Sequence, residues 1–130
     1  MPWVEVFSVF VVCHLTGDYL LQTDWQAANK VGGLGSAMLP RRALLAHITT
    51  YTLAFVPAFA WLAHDLGASI VLVVLFVSGP HLVQDDGRLL DLYLRRVKRC
   101  DPEAVPGVRA AADQAFHLLA LFALAVVAGT

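Results

Sequence analysis

Apolar side chains dominate four long stretches of the chain, and shorter polar stretches rich in glycine, proline and aspartate separate them. The apolar stretches are approximately residues 3–22, 42–62, 68–85 and 109–128. Because a helix rises about 1.5 Å per residue, about 20 helical residues cross the hydrocarbon core of a bilayer. The pattern therefore predicts an all-α fold, a bundle of four transmembrane helices that forms a single integral membrane domain over residues 1–130.

Composition supports this prediction and excludes several other classes of protein. The 130 residues are 58% hydrophobic and only 15% charged, and the mean hydropathy is +0.68. A soluble domain usually has about 25% charged residues, and disordered tails, coiled coils and nucleic-acid-binding proteins need more charge than this chain has. We therefore expect the lipid bilayer as a partner and no nucleic acid.

The basic residues predict the orientation in the membrane. All nine Lys and Arg residues fall between the first and second apolar stretches, between the third and fourth, or at the first residue of the stretch that follows. By the positive-inside rule, both basic connections face the cytoplasm and both termini lie outside. We expect a multi-pass protein of the bacterial inner (cytoplasmic) membrane. The third helix is expected to bend at Pro80 and to continue past Asp85 as a basic juxtamembrane extension that attracts anionic lipid headgroups.

Each predicted span also carries polar side chains four residues apart, a spacing that places them on one face of a helix. These sets are His14, Asp18 and Gln22; His47 and Tyr51; His81 and Asp85; and Asp113, Gln114 and His117. Such groups are costly in lipid and normally face a partner inside the bundle. Because the spans alternate in direction, the sets should meet at one depth, in the cytoplasmic half of the bilayer.

Three aspartates and four histidines at one depth predict a metal centre. Buried carboxylates must be protonated, paired with charged histidine or bound to cations, and imidazole with carboxylate suits one or two divalent ions, Zn, Mn or Fe. The predicted ligands are His14, Asp18, His47, His81, Asp85, Asp113 and His117. The aspartates are also candidate catalytic residues, and Gln22, Tyr51 and Gln114 are expected to orient the ligands. Metal-free Asp–His pairs that hold the bundle together are the alternative.

The order of these motifs resembles that of a known family. The motifs are His14-Leu-Thr-Gly-Asp18-Tyr-Leu-Leu-Gln22, a histidine that opens the second span (His47), His81-Leu-Val-Gln-Asp85 and Asp113-Gln114-Ala-Phe-His117. Over nearly the whole chain they resemble the domain of unknown function 3307, a family of small bacterial and phage-borne membrane proteins. Lys30 matches a lysine that follows the family's first motif, whereas Arg88 stands near the place where the family often has a second lysine. The resemblance implies no activity.

Three functions remain open on the sequence alone, and only the first makes the protein an enzyme. A metal-dependent hydrolase would act on a lipid or polyprenyl phosphate through a metal-activated water, with Lys30, Arg41, Arg42 and Arg88 binding the anionic group. A proton-coupled or metal-ion transporter would need a homo-oligomer, because four spans are few for a transport path. A non-catalytic membrane accessory protein would use the polar cluster for structure only.

Overall fold

The computed structural model describes residues 1–129; residue 130, the last of the predicted domain, lies outside them. The described residues form seven α-helices, joined by shorter helical turns and loops, and contain no strand. The predicted all-α class is therefore confirmed. The helices are α1 (Trp3–Leu15), α2 (Asp24–Asn29), α3 (Met38–Ala54), α4 (Val56–Leu66), α5 (Ile70–Asp86), α6 (Arg88–Tyr93) and α7 (Pro106–Ala128).

Length and composition give three candidate membrane spans among the described residues, rather than the predicted four. They are Trp3–Leu20, Val56–Asp86 and Pro106–Ala128. The second span predicted from the sequence, residues 42–62, is divided because α3 ends at Ala54 and α4 begins two residues later. Pro57 stands in the first turn of α4. In a continuous helix its ring would clash with the preceding turn, and it has no N–H to donate.

The segment after α5 also differs from its prediction. Helix α5 is continuous through Pro80, and Gly87 ends it with a φ of 81°, a left-handed conformation that favours glycine. The basic extension is therefore a separate helix, α6, followed by a π-helical turn at Leu94–Lys98. An ion pair of 2.9 Å between Asp91 Oδ1 and Arg109 Nε joins α6 to α7.

The packing of the helices separates apolar from polar side chains along the molecule. Helix α1 contacts α7, and α5 contacts both α3 and α7. The apolar core occupies one end and includes Val6, Phe10, Phe55, Ala58, Leu62, Val73, Val77, Leu121 and Ala125. Buried histidines and aspartates collect at the other end, where α1 and α5 end and α3 and α7 begin. We call the first the apolar end and the second the polar end.

A glycine-rich loop between α2 and α3 closes part of the polar end. The backbone N–H of Gly32 donates to the carbonyl of Asp86 at 2.8 Å, and that of Leu34 donates to Asp86 Oδ1 at 2.9 Å. A Cβ on Gly33 would lie only 2.5 Å from Leu44 Cβ, so a larger residue does not fit there. These contacts anchor the loop to the end of α5.

Candidate metal centre

Four buried side chains from three segments converge at the polar end, and we call them group one. They are Asp18, His47, His81 and Asp85, and each offers a ligand atom within 4.8 Å of those of the others. Asp18 lies in a π-helical turn, Thr16–Leu20, that follows α1 directly. Turns of this kind are frequent at functional sites. His47 comes from α3, whereas His81 and Asp85 lie one turn apart on α5.

The interatomic distances in group one match those between ligands of a single ion. His47 Nε2 lies 3.1 Å from Asp18 Oδ1 and 2.7 Å from Asp85 Oδ2. His81 Nε2 lies 3.2 and 3.1 Å from the same two oxygens and 3.0 Å from His47 Nε2. Metal–ligand bonds of about 2.0–2.1 Å place the ligand atoms of one ion about 2.8–3.4 Å apart. Group one therefore has the spacing of a coordination shell.

A second set of ligand atoms, group two, adjoins the first. It consists of Asp85, Asp113 and His117, the last two on α7. His117 Nε2 lies 3.1 Å from Asp85 Oδ1, the oxygen that faces away from His47 and His81. His117 Nδ1 lies 2.7 Å from the backbone carbonyl of Asp113. Asp85 thus belongs to both groups through different oxygens.

The buried atoms that lack hydrogen-bond partners test whether a cation fits. Among the described residues these atoms are Asp18 Oδ1, Asp85 Oδ1, His47 Nδ1, His81 Nδ1 and His117 Nε2. Three of the five, Asp18 Oδ1, Asp85 Oδ1 and His117 Nε2, face other ligand atoms of the two groups at 3.1–3.2 Å, although an unsatisfied buried polar group costs about 1–3 kcal/mol. The Nδ1 atoms of His47 and His81 lie on the other side of their rings from the Nε2 atoms, and an ion bound at Nε2 would leave them unpaired. Carboxylate oxygen and imidazole nitrogen are donors that suit zinc, manganese or iron. The cluster therefore fits a divalent metal ion.

His14 lies in the same cluster but outside both groups. Its Nε2 donates to Gln114 Oε1 at 2.7 Å, because an amide oxygen can only accept. The other ring nitrogen, Nδ1, then accepts a hydrogen bond of 3.0 Å from the hydroxyl of Tyr51. Both ring nitrogens are thus engaged with side chains, and the ligand role of His14 stays a prediction. In this geometry His14 positions its neighbours.

Tyr51 and Gln114 contact the ligands themselves. The ring of Tyr51 stacks on the imidazole of His81 with centroids 3.5 Å apart and planes 8° apart. Gln114 Nε2 donates to Asp18 Oδ2 at 3.3 Å. These contacts restrict the rotation of one histidine and one carboxylate, which is how neighbouring groups orient the ligands of a metal.

Residues 6–130 match the family described as a protein of unknown function, DUF3307. The chain belongs to the DUF3307 family. The family assignment predicted from the motifs is confirmed, and the match includes every residue of both groups. No curated protein and no solved structure matches the chain. These comparisons assign no activity to this DUF3307 protein, and its cluster of buried histidines and aspartates is the feature that bears on function.

Lys30 and Gln22 complete the cluster of the DUF3307 protein. Lys30 Nζ donates to Asp85 Oδ2 at 2.8 Å and to Gln22 Oε1 at 2.6 Å. Gln22 Nε2 donates to the backbone carbonyl of Asp18 at 3.3 Å. The lysine side chain is only 13% exposed. The cation predicted to bind an anionic group is therefore turned into the cluster, beside the carboxylate that the two groups share.

The three predicted anion-binding arginines lie outside the cluster. Arg41 and Arg42 are exposed on the first turns of α3, and Arg41 donates to a loop carbonyl at 2.7 Å. Arg88 donates to Asp86 Oδ2 at 2.7 Å, and this hydrogen bond raises the pKa of the guanidinium. Asp86, which binds the glycine-rich loop of the DUF3307 protein, is not among the residues predicted from the sequence. The sequence feature that could have identified this contact is the Asp86-Gly87 pair at the end of α5.

An apolar cavity of about 230 Å³ adjoins group two in the DUF3307 protein. It lies between α5, α6 and α7. Its lining residues are Val83, Gln84, Leu89, Leu90, Tyr93, Asp113 and Phe116. Asp113 is the carboxylate in this wall and at the same time a member of group two. The cavity therefore connects an apolar surface to the candidate ligands.

Proposed function

We propose that this protein is a membrane-embedded, metal-dependent hydrolase of a lipid or polyprenyl phosphate. The observation that carries the proposal is the convergence of two imidazole nitrogens and two carboxylate oxygens, from Asp18, His47, His81 and Asp85, at ligand spacing. The cluster would lie in the cytoplasmic half of a bacterial cytoplasmic membrane, in a chain that crosses the bilayer four times as a bundle.

A reversal of the chain within the candidate span Val56–Asp86 would give four crossings, and two observations support it. Helices α4 and α5 contact each other, and Gly67 between them has a φ of 53°. A straight helix of 31 residues would keep α4 and α5 end to end, with contacts only at their junction. In the proposed topology α3 and α4 make one crossing and α5 the next. Both basic connections then face the cytoplasm, and both termini lie outside.

The chain's own residues would hold the ion and the water. A divalent metal lowers the pKa of a bound water and polarises a phosphoryl oxygen. Asp18, His47, His81 and Asp85 would hold the ion, while Lys30 would neutralise charge beside Asp85. In the reaction the water loses a proton, its oxygen forms a bond to phosphorus, the ester P–O bond breaks, and the leaving alkoxide takes up a proton equivalent to the one that the water lost.

The apolar cavity supports an amphiphilic substrate. Leu89, Leu90 and Tyr93 in its wall come from α6, whose continuation carries Arg95, Arg96 and Lys98. A lipid chain would contact the apolar wall while its phosphate approached group two. Basic residues beside a membrane also attract anionic headgroups, each contributing about 1 kcal/mol. We therefore propose anionic lipid headgroups as the surface partner.

The apolar end favours hydrolysis over transport. Phe10, Phe55, Val77 and Leu121 are buried beyond the cluster, between it and the opposite end of the molecule. A transit site for protons or ions needs polar groups or water on both sides. A hydrolytic site needs access from one side only. The proposal also does not require the homo-oligomer that a transporter of this size would need.

The first prediction concerns metal and activity together. The full chain, purified in detergent, should contain stoichiometric Zn, Mn or Fe by elemental analysis and release phosphate from dioleoyl phosphatidic acid or farnesyl phosphate in mixed micelles. Asp85→Asn should remove metal and lower the rate about 100-fold or more, because ligands and their immediate partners control both properties. His64→Ala is the matched control, since His64 is exposed in the last turn of α4 and its one hydrogen-bond partner among the described residues is Asp65.

A wild-type preparation without bound metal, after growth and reloading with these ions, would overturn the metal site and the hydrolase together. If the protein binds metal but releases no phosphate from either lipid, the result would overturn the proposed phosphomonoester hydrolysis while the metal centre would stand.

A further inference from the structure

We infer that the centre is binuclear, with the carboxylate of Asp85 bridging two ions. This inference rests on the metal site of the proposed function and extends it by a second ion held by Asp85, Asp113 and His117. The ions would share one side chain that uses a separate oxygen for each. Carboxylate-bridged pairs of ions lie about 3.5–4 Å apart and clamp both the attacking and the leaving oxygen in phosphoryl transfer.

The two oxygens of Asp85 are already divided between the two groups. Oδ2 faces His47 Nε2 at 2.7 Å and His81 Nε2 at 3.1 Å. Oδ1 faces His117 Nε2 at 3.1 Å. The Asp85 side chain is only 1% exposed, so water from outside does not compete for these positions. One carboxylate therefore presents an oxygen to each set of nitrogens.

The tautomer of His117 provides an independent observation. The backbone carbonyl of Asp113 can only accept, so His117 Nδ1 carries the proton of that 2.7 Å hydrogen bond. In the neutral ring Nε2 then holds a lone pair, and it points at Asp85 Oδ1 without a hydrogen bond. Two acceptors held 3.1 Å apart in a buried site need a cation or a proton between them. A histidine whose other nitrogen donates to a carbonyl is the usual arrangement of a metal ligand.

Charge balance indicates what else the binuclear centre would bind. Two divalent ions and Lys30 bring five positive charges against the three carboxylates of Asp18, Asp85 and Asp113. Two positive charges remain, and burial makes an uncompensated charge costly. Hydroxide and a phosphate oxygen supply negative charge at this position. The charge of the second ion thus favours the binding of anionic substrates at the centre.

The test counts ions and detects their coupling. Chelator-treated full-length protein in detergent is titrated with Mn²⁺ and examined by electron paramagnetic resonance and elemental analysis. We expect two ions per chain and an exchange-coupled spectrum. His117→Ala should hold one ion and show the spectrum of isolated Mn²⁺. His64→Ala removes a histidine outside the cluster and should keep two coupled ions.

The outcomes separate this inference from the hydrolase proposal. One ion per chain in the wild type overturns the second site while leaving the proposed function standing, and no ion overturns both. Two ions without exchange coupling overturn the shared Asp85. The wild-type spectrum decides between one and two ions even if His117→Ala fails to fold, which a thermal melt followed by circular dichroism would show.

Discussion

Tyr51 connects the packing of the protein to the orientation of a ligand. Its ring stacks on His81 with centroids 3.5 Å apart, and Tyr51 also packs against Gly17 in the π-helical turn that carries Asp18. A Cβ on Gly17 would lie 2.7 Å from Tyr51 Cδ2. The absence of a side chain at Gly17 therefore lets the segment that supplies one ligand approach the ring that orients another.

Replacing Gly17 should disturb this arrangement. Gly17→Ala forces either the Tyr51 ring or the π-helical turn to move, and overpacking of this kind costs about 1–3 kcal/mol. We expect a lower melting temperature and metal affinity reduced about 10-fold or more, measured by thermal denaturation and metal titration. Gly79→Ala is the control, because a Cβ there meets nothing within 4 Å. Equal losses in both variants would contradict the role of Gly17.

For individual residues, the sequence predicts which side chains come together but not which hydrogen bonds they form. The four-residue spacing of His14 with Asp18 and of His81 with Asp85 was enough to predict a shared cluster. It could not show that His14 donates to Gln114, a residue far along the chain, or that Lys30 lies inside the cluster. Such partners depend on the rotation and register of packed helices, which periodicity does not determine.

Among the structural elements, the loop between α2 and α3 depends on the end of α5. Asp86 accepts from the Leu34 N–H through Oδ1 and from Arg88 through Oδ2. Lys30 immediately precedes this loop and ends α2. The carboxylate of Asp86, only 5% exposed, therefore holds the segment that places the Lys30 ammonium beside Asp85.

Removing this anchor should loosen the loop. Asp86→Ala removes the acceptor of the Leu34 N–H in a partly buried hydrogen bond, and a hydrogen bond of this kind contributes about 0.5–1.5 kcal/mol. We expect faster proteolysis between residues 31 and 37 and a lower melting temperature. Asp101→Ala is the matched control, since the exposed Asp101 carboxylate pairs with Arg95 at 3.5 Å and accepts from the neighbouring Glu103 N–H at 3.2 Å. An exposed ion pair is worth about 1 kcal/mol or less. Unchanged proteolysis in Asp86→Ala would show that the loop is held by its backbone contacts.

The helices themselves were predictable where apolar runs are long and uninterrupted, as in α5 and α7. The break at Phe55 was not predicted, because the apolar run continues through it. Pro57 is the only sequence feature that indicates an interrupted helix there. The sequence pattern likewise predicts α6 as a continuation of α5 rather than as a separate helix. Gly87 permits the left-handed turn between them, but the sequence alone does not require one.

For the whole molecule, the turn at Gly67 decides the number of crossings. If Val56–Asp86 crossed once, the basic segment after α5 would emerge on the side opposite α3. If the chain reverses at Gly67, both basic connections lie on the same side. The contact between α4 and α5 favours reversal.

Cysteine labelling distinguishes the two topologies. Cys100 lies between α6 and α7 and is partly exposed, whereas Cys13 is buried. With four crossings, a membrane-impermeant maleimide added to intact bacterial cells should label Asp65→Cys but leave Cys100 unmodified until the cells are broken. With three crossings, Cys100 should react in intact cells, and position 65 should be shielded by lipid.

The separation of the apolar end from the polar end has a consequence for the supply of ions. Most of a transmembrane voltage falls across apolar material, so the ligands in the polar end would experience the electrical potential of a single compartment. Ions would exchange with that compartment alone. With the polar end facing the cytoplasm, as proposed, loading of the centre would follow the concentration of divalent ions inside the cell and be insensitive to the medium outside.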